Sequence, residues 1–110
     1  MVFNGNVVIT DTTLTGPGID TLIEIERFTI SGGFGPNRID ASAYTLGSVT
    51  LNGAGGNDTL LGSLGDDSLI GGVGIDTIEQ TVDGNQVLDD TSLQGMGTDA
   101  LSGIERAVLS

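Results

Sequence analysis

Three consecutive nonapeptides decide the fold: GAGGNDTLL (53–61), GSLGDDSLI (62–70) and GGVGIDTIE (71–79). Each has glycine at its first and fourth positions, aspartate at its sixth and a large aliphatic residue at its eighth. The third matches the pattern G-G-x-G-x-D-x-U-x, in which U is a large aliphatic residue, at every fixed position. The other two lack only the second glycine. Recurrence in phase predicts a stack of short, equivalent structural units.

The glycine-rich part of each nonapeptide predicts a sharp turn, because glycine adopts positive φ without steric cost. Such turns bring backbone carbonyl oxygens together, and Asp58, Asp67 and Asp76 each add a carboxylate at the end of a turn. A hard cation such as Ca²⁺ takes about six to eight oxygen ligands of these two kinds. The three residues after each aspartate suit a very short strand. The sequence therefore predicts an all-β solenoid of short strands and Gly-Asp turns around a thin aliphatic core.

This pattern resembles the RTX (repeats-in-toxin), haemolysin-type calcium-binding repeats of secreted bacterial proteins. The resemblance implies a parallel β-roll in which two nonapeptides make one coil and Ca²⁺ lies between equivalent turns of successive coils. Asp58 and Asp76 are one such coil apart (76 − 58 = 18), so they are expected to face one ion. Asp40 precedes Asp58 by the same interval (58 − 40 = 18) and is expected to share a second ion with it.

Looser units extend the resemblance at residues 15–23, 35–43 and 94–102, and short insertions must separate the first and last of these from the central block, 53–79. Asp67 is expected on the opposite edge of the coil, where Gln80–Asn85 would be its downstream equivalent. The expected calcium-site residues are the turn glycines and the aspartates: Gly53, Gly55, Gly56, Asp58, Gly62, Gly65, Asp67, Gly71, Gly72, Gly74, Asp76, Asp40, Asp20 and Asp99.

A second, longer repeat relates the two ends of the chain, with Gly18 equivalent to Gly97 (97 − 18 = 79). Aligning residues 2–31 with residues 81–110 gives 14 identical pairs out of 30. We interpret residues 1–110 as a single fragment of a tandem array, consisting of one 79-residue superunit and the start of the next, with neighbouring repeats of the same chain as partners. The alternative is a complete small protein whose second half has diverged.

Composition narrows the function. The net charge is −12 with only three Lys+Arg residues, which argues against nucleic acid and anionic membranes as partners, because both require a basic surface. The chain has no run of about 20 apolar residues that would insert into a membrane. It has no His, Cys or Lys, so no nucleophile–base pair is available and we expect no enzyme activity.

The resemblance implies a secreted, extracellular or cell-surface protein that is exported by a type I system and folds when it meets extracellular Ca²⁺. The expected role is a structural segment of a haemolysin- or adhesin-like protein. Two alternatives stay open at this stage: an accessory folding and export module of a secreted enzyme, and a module that binds a glycan or a protein.

Overall fold

Fourteen strands form two seven-stranded sheets in the part of the chain that the structure describes. This computed structural model describes residues 2–3, 6–10, 13–15, 19–21, 27–80, 87–88, 92–95 and 97–109. The strands are β1 (Val2–Phe3), β2 (Val7–Thr10), β3 (Thr13–Thr15), β4 (Ile19–Thr21), β5 (Arg27–Gly32), β6 (Arg38–Ala43), β7 (Ser48–Asn52), β8 (Thr59–Leu61), β9 (Ser68–Ile70), β10 (Thr77–Gln80), β11 (Val87–Leu88), β12 (Ser92–Gly95), β13 (Gly97–Ser102) and β14 (Arg106–Leu109).

The chain alternates between the two sheets from β5 to β10. The first sheet has the order β1-β5-β7-β9-β13-β12-β11 and the second has the order β14-β10-β8-β6-β2-β3-β4. Along the central coils the pairs β5–β7 and β7–β9 of the first sheet, and β6–β8 and β8–β10 of the second, are parallel. Successive strands of one sheet therefore lie one coil apart, and the predicted parallel β-roll is confirmed.

A narrow aliphatic core fills the space between the sheets. In the three-residue strands β8 and β9 only the central side chain is buried, as the period of two along a strand requires. Leu60 stacks on Ile39 and Ile78 in the second sheet, and Leu69 stacks on Leu51 in the first. All five side chains are at most 1% exposed. Each buried aliphatic side chain contributes roughly 1.5–3 kcal/mol.

The length of a coil changes along the roll. The partners Leu60 and Ile78 define the regular coil (78 − 60 = 18), whereas the partners Ile39 and Leu60 define a longer one (60 − 39 = 21). Further on, the pairing of Leu69 with Leu101 spans a longer interval still (101 − 69 = 32). The excess is taken up by antiparallel pairing of β11 with β12 and of β12 with β13. The same kind of pairing joins β2, β3 and β4 at the other end.

The 79-residue repeat places equivalent strands in opposite sheets. Arg27 begins β5 in the first sheet, and its equivalent Arg106 (106 − 27 = 79) begins β14 in the second. Likewise β3 and β4 belong to the second sheet, whereas β12 and β13, which contain the equivalent residues, belong to the first. One step of the long repeat thus advances the roll by an odd number of half-coils.

Candidate calcium-binding turns

Loops 33–37, 53–58, 71–76 and 103–105 lie along one edge of the roll, which we call the first turn edge. Register aligns them, because Arg38 pairs with Thr59 and Thr59 with Thr77. The structure therefore brings Asp58 and Asp76 to equivalent positions in adjacent turns, as the sequence predicted. The backbone N–H of Asp58 donates to Oδ1 of Asp76 at 2.8 Å, so one carboxylate oxygen ties each turn to the next.

The second oxygen of each carboxylate has no donor. Oδ2 of Asp58 and Oδ2 of Asp76 are buried and lack a hydrogen-bond partner. A Cβ built on Gly53 would overlap Oδ2 of Asp58 and would lie 2.7 Å from the carbonyl oxygen of Gly71. A Cβ on Gly71 would likewise overlap Oδ2 of Asp76 and the carbonyl oxygen of Gly103. We call the space beside Gly53 and the space beside Gly71 cradles. Each cradle contains a free carboxylate oxygen and a carbonyl oxygen from the next turn.

The backbone of these turns requires the glycine pattern at two positions. The second position has positive φ at Ala54 (72°) and Gly72 (98°), and the fourth has positive φ at Gly56 (102°) and Gly74 (131°). Gly55 pairs with Val73 in an isolated bridge that holds adjacent turns together. The repeated glycines therefore allow the backbone conformation of the turn, and this conformation positions the carbonyl groups.

Glu105 extends the first turn edge by one further turn and was not among the predicted site residues. The backbone N–H of Asp76 donates to Oε2 of Glu105 at 2.8 Å, as Asp58 donates to Asp76. The interval is longer than a regular coil (105 − 76 = 29) and the residue is glutamate, so a search for aspartate at the regular spacing misses it. The available signal was the 79-residue repeat, in which Glu26 and Glu105 are equivalent.

On the second turn edge, formed by loops 44–47 and 62–67, both carboxylate oxygens of Asp67 accept hydrogen bonds. Oδ1 of Asp67 accepts from the backbone N–H of Val49 at 2.9 Å and from Oγ of Ser63 at 2.7 Å. Its Oδ2 accepts from the backbone N–H of Ser63 at 2.6 Å. Although Gly62 and Gly65 lie in this turn as predicted, both oxygens of Asp67 already have donors.

Asp99 lies one coil beyond Asp67. The backbone N–H of Asp67 donates to Oδ1 of Asp99 at 2.9 Å, and Oδ2 of Asp99 is buried without a partner. Asp99 of β13 thus holds the place next to Asp67 for which the sequence predicted Gln80–Asn85; residues 81–86 lie outside the described residues. Asp99 lies within strand β13 and not in a glycine turn. The residues after it, Ala100–Ser102, pair with Ser68–Ile70, so the frame at 94–102 is in register with the nonapeptide at 62–70.

Asp40 is the predicted site residue whose position was wrong. It lies in β6 opposite Leu61, and its carboxylate accepts from the backbone and hydroxyl of Ser42 and from Arg38. The equivalent of Asp58 one coil upstream is Asn37 (58 − 37 = 21). Asp20 lies in β4, opposite Leu14 in an antiparallel pair; its side chain lies outside the described residues.

Burial changes the acidity of three of these carboxyl groups. Burial raises the pKa of Asp58. The hydrogen bonds from Asn37 lower this pKa, and the repulsion from Asp76 raises it further. Burial also raises the pKa of Asp67, against hydrogen bonds from Ser63 and Val49. It raises the pKa of Asp99 to about 7, the backbone N–H of Asp67 opposing the rise. In each of the three groups, burial thus disfavours the ionised form when no cation is present.

The chemistry of the turns fits calcium. Among the described residues, no three acidic, histidine or cysteine side chains converge as a metal cluster, so backbone carbonyl oxygens would have to complete any site. A donor set of carboxylate and carbonyl oxygens is the one that Ca²⁺ prefers, since it takes about six to eight oxygen ligands with flexible geometry. Softer metals would require nitrogen or sulfur ligands, and the chain has neither His nor Cys.

Comparisons with known proteins identify the same segment. The family model described as the RTX calcium-binding nonapeptide repeat (4 copies) matches residues 50–78. No curated protein and no solved structure gives a significant match. None of the described residues belongs to a helix long and apolar enough to cross a membrane. The matched segment contains β8, β9 and the turns that place Asp58 and Asp76 in register. Residues 50–78 of this chain thus match the calcium-binding nonapeptide repeat of the RTX family and fold as part of a β-roll.

Proposed function

We propose that this chain is a segment that folds and stiffens on binding Ca²⁺ within a larger secreted or surface-attached bacterial repeat protein of the haemolysin or adhesin type. One observation supports this most: the stacked carboxylates of Asp58 and Asp76 each leave one buried oxygen without a donor. An unpartnered buried polar group is costly. Two equivalent ones in successive turns favour a role in which a cation supplies the missing partner.

The proposed ions lie between successive turns of the first turn edge. Asp58 and the carbonyl group of Gly71 would contribute to one, and Asp76 and the carbonyl group of Gly103 to the next. Bound there, Ca²⁺ supplies positive charge beside the carboxylate of Asp58, whose ionised form burial otherwise disfavours. On the second turn edge, Asp99 has the free oxygen and Asp67 does not.

Calcium binding would be linked to folding. The net charge of −12 on 110 residues opposes compaction, and the cradles exist only when adjacent turns are stacked. An ion that binds the folded chain alone stabilises it by RT ln(1 + [Ca²⁺]/Kd). Extracellular modules bind at roughly 10⁻⁴–10⁻³ M, so the sites would be empty in the cytosol and filled outside the cell. This difference suits a chain that is exported unfolded, as by a type I system.

The 79-residue repeat suits a spacer built from many such units. In a tandem array the next superunit would continue both sheets of the roll with their roles exchanged, because β14 is the equivalent of β5 in the opposite sheet. Antiparallel hairpins like β2–β3–β4 would then project from alternate sheets along the array. Neighbouring repeats would cover the edge strands that a single unit leaves unpaired.

Calorimetric titration with CaCl₂, with circular dichroism recorded in parallel, tests this proposal. We expect saturable binding and a gain of strand signal over chelator-treated protein. Asp76→Asn should weaken binding at least tenfold, because it removes a buried carboxylate oxygen. Asp66→Asn removes the same charge from an exposed side chain and should leave binding almost unchanged. Identical spectra with calcium and with chelator, or equal effects of the two substitutions, would contradict the proposal.

A further inference from the structure

We infer that Asn37 ends the series of calcium sites on the first turn edge by placing an amide nitrogen where the following turns present a free carboxylate oxygen. The inference rests on the proposed function. It concerns the space between loops 33–37 and 53–58, where the sequence had predicted an ion shared by Asp40 and Asp58.

Asn37 is the structural equivalent of Asp58 and Asp76. Its backbone N–H donates to Oδ1 of Asp58 at 2.7 Å, as the N–H of Asp58 donates to Oδ1 of Asp76 at 2.8 Å. Register places all three immediately before paired residues of β6, β8 and β10. Asn37 is also buried, at 3% exposure. Asn37 is therefore placed like Asp58 and Asp76 at the end of its loop and differs in its side chain, although Gly33 and Gly35 lack the positive φ of their equivalents Ala54 and Gly56.

The side-chain amide fills the position that the free oxygen has in the next turn. A Cβ built on Gly32 would lie 2.6 Å from Nδ2 of Asn37 and 2.7 Å from the carbonyl oxygen of Gly53. A Cβ built on Gly53 would meet Oδ2 of Asp58 and, at 2.7 Å, the carbonyl oxygen of Gly71. Of the two polar atoms nearest each glycine, the carbonyl oxygen is thus common to both cradles, and the side-chain atom is a nitrogen in the first and an oxygen in the second.

Hydrogen bonding fixes which way the amide points. Nδ2 of Asn37 donates to the carbonyl oxygen of Gly35 at 2.7 Å and lies 3.3 Å from Oδ1 of Asp58. The reversed amide would set its oxygen against these two oxygens, and two hydrogen bonds would be replaced by repulsion. An NH₂ group has two donors and no lone pair for a cation. The NH₂ group would therefore repel a cation from this cradle. Its hydrogen bonds would satisfy nearby oxygens, as a bound cation would satisfy the oxygens of the other cradles.

The nitrogen-for-oxygen exchange predicts that Asn37→Asp creates an additional calcium site. We would measure the number of bound ions by native mass spectrometry and calorimetry on the full chain, with folding in saturating calcium checked by circular dichroism. Asn57→Asp is the matched control: it adds the same charge in the neighbouring turn, where Asn57 is exposed and an oxygen still accepts from the N–H of Ile75. Asp40→Asn tests the original expectation.

We expect Asn37→Asp to bind one ion more than the unsubstituted chain, and Asn57→Asp and Asp40→Asn to bind the same number. An unchanged ion count in folded Asn37→Asp, or an equal gain in Asn57→Asp, would overturn the inference while leaving the proposed function intact. If the unsubstituted chain binds no calcium, the proposed function fails and the inference with it.

Discussion

The turns 53–58 and 71–76 on the first turn edge and the turn 62–67 on the second carry the same motif but differ in how their carboxylates are satisfied. On the first, Asp58 and Asp76 each leave Oδ2 buried without a donor. On the second, Asp67 has donors to both oxygens, two of them from Ser63. Ser63 occupies the second position of its nonapeptide, where the first turn edge has Ala54 and Gly72. Ala54 and Gly72 have positive φ and Ser63 does not, and it is the backbone N–H of Ser63 that donates to Oδ2 of Asp67. The backbone path at this position thus separates an open carboxylate from a closed one.

Filling a cradle on the first turn edge should have the largest effect. Gly71→Ala places a Cβ against Oδ2 of Asp76 and the carbonyl oxygen of Gly103, and a backbone carbonyl cannot move aside cheaply. We expect a loss of roughly 2–4 kcal/mol in urea unfolding in saturating calcium and calcium binding weakened at least tenfold. Gly35→Ala is the control, since a Cβ there meets nothing within 4 Å, and it should change stability by less than about 0.5 kcal/mol. Equal losses of stability in Gly71→Ala and Gly35→Ala would show that the space beside Gly71 is no more important than any other part of the loops.

A change of pH should separate the metal-free roll from the calcium-bound one. Because the folded pKa values of Asp58, Asp67 and Asp99 lie above the unfolded value of 3.8, the folded state holds more protons. Stability without calcium should therefore be highest in acid and should fall as pH rises from about 4 to the pKa of about 7 at Asp99. Melting temperatures measured in chelator across this range test the sign.

Saturating calcium should flatten that dependence, because a cation beside Asp58 on the first turn edge and beside Asp99 on the second would take the place of the protons that these carboxyl groups hold. Calorimetry in two buffers of different ionisation enthalpy should show proton release on binding near pH 6 and less release above pH 8. A metal-free roll whose melting temperature rises between about pH 4 and pH 7 would contradict the acidities that burial predicts for these groups.

The sequence predicted the first turn edge where its period was unbroken and failed where loops changed length. Asp58 and Asp76 are one regular coil apart (76 − 58 = 18) and lie in register, because nothing interrupts the nonapeptides between them. Extending the same count upstream selected Asp40, whereas the coil there is longer (58 − 37 = 21) and brings Asn37 to the turn. Spacing alone cannot reveal such an extension of a loop, because loop residues carry no hydrophobic period.

For a related reason, the sequence did not predict that Asp99 would be the residue next to Asp67 in the roll. Asp99 stacks on Asp67 after an interval of 32, which exceeds the regular coil by 14 (32 − 18 = 14). Antiparallel strands β11 and β12 absorb the excess, and their path follows from sheet pairing, which the nonapeptide pattern does not encode. The same geometry sends the two copies of the 79-residue repeat to opposite sheets. Sequence identity records equivalence of residues and not the number of half-coils between them.

Removing the hydroxyl of Ser63, on the second turn edge, should have an intermediate effect. Oγ of Ser63 donates to Oδ1 of Asp67 at 2.7 Å and also lies 3.0 Å from the carbonyl oxygen of Gly47. Ser63→Ala should cost about 1–2 kcal/mol of unfolding free energy, while calcium binding at the first turn edge stays unchanged. Thr59→Ala, a loss of hydroxyl in a half-buried strand position, serves as control. Weaker calcium binding in Ser63→Ala would show that the two edges are coupled.

The smallest expected effect concerns Ala54, at the second position on the first turn edge. Its φ of 72° lies in the left-handed region, which costs a residue with a Cβ roughly 1 kcal/mol. Ala54→Gly removes that strain, as the equivalent Gly72 already does (φ 98°), but the freer unfolded chain offsets part of the gain. We expect a net stabilisation of about 0.5 kcal/mol, measured by urea unfolding in saturating calcium. Ala41→Gly, at a fully buried strand position, should instead lower stability. Destabilisation by Ala54→Gly would mean that the methyl group contributes packing to the turn that outweighs the strain.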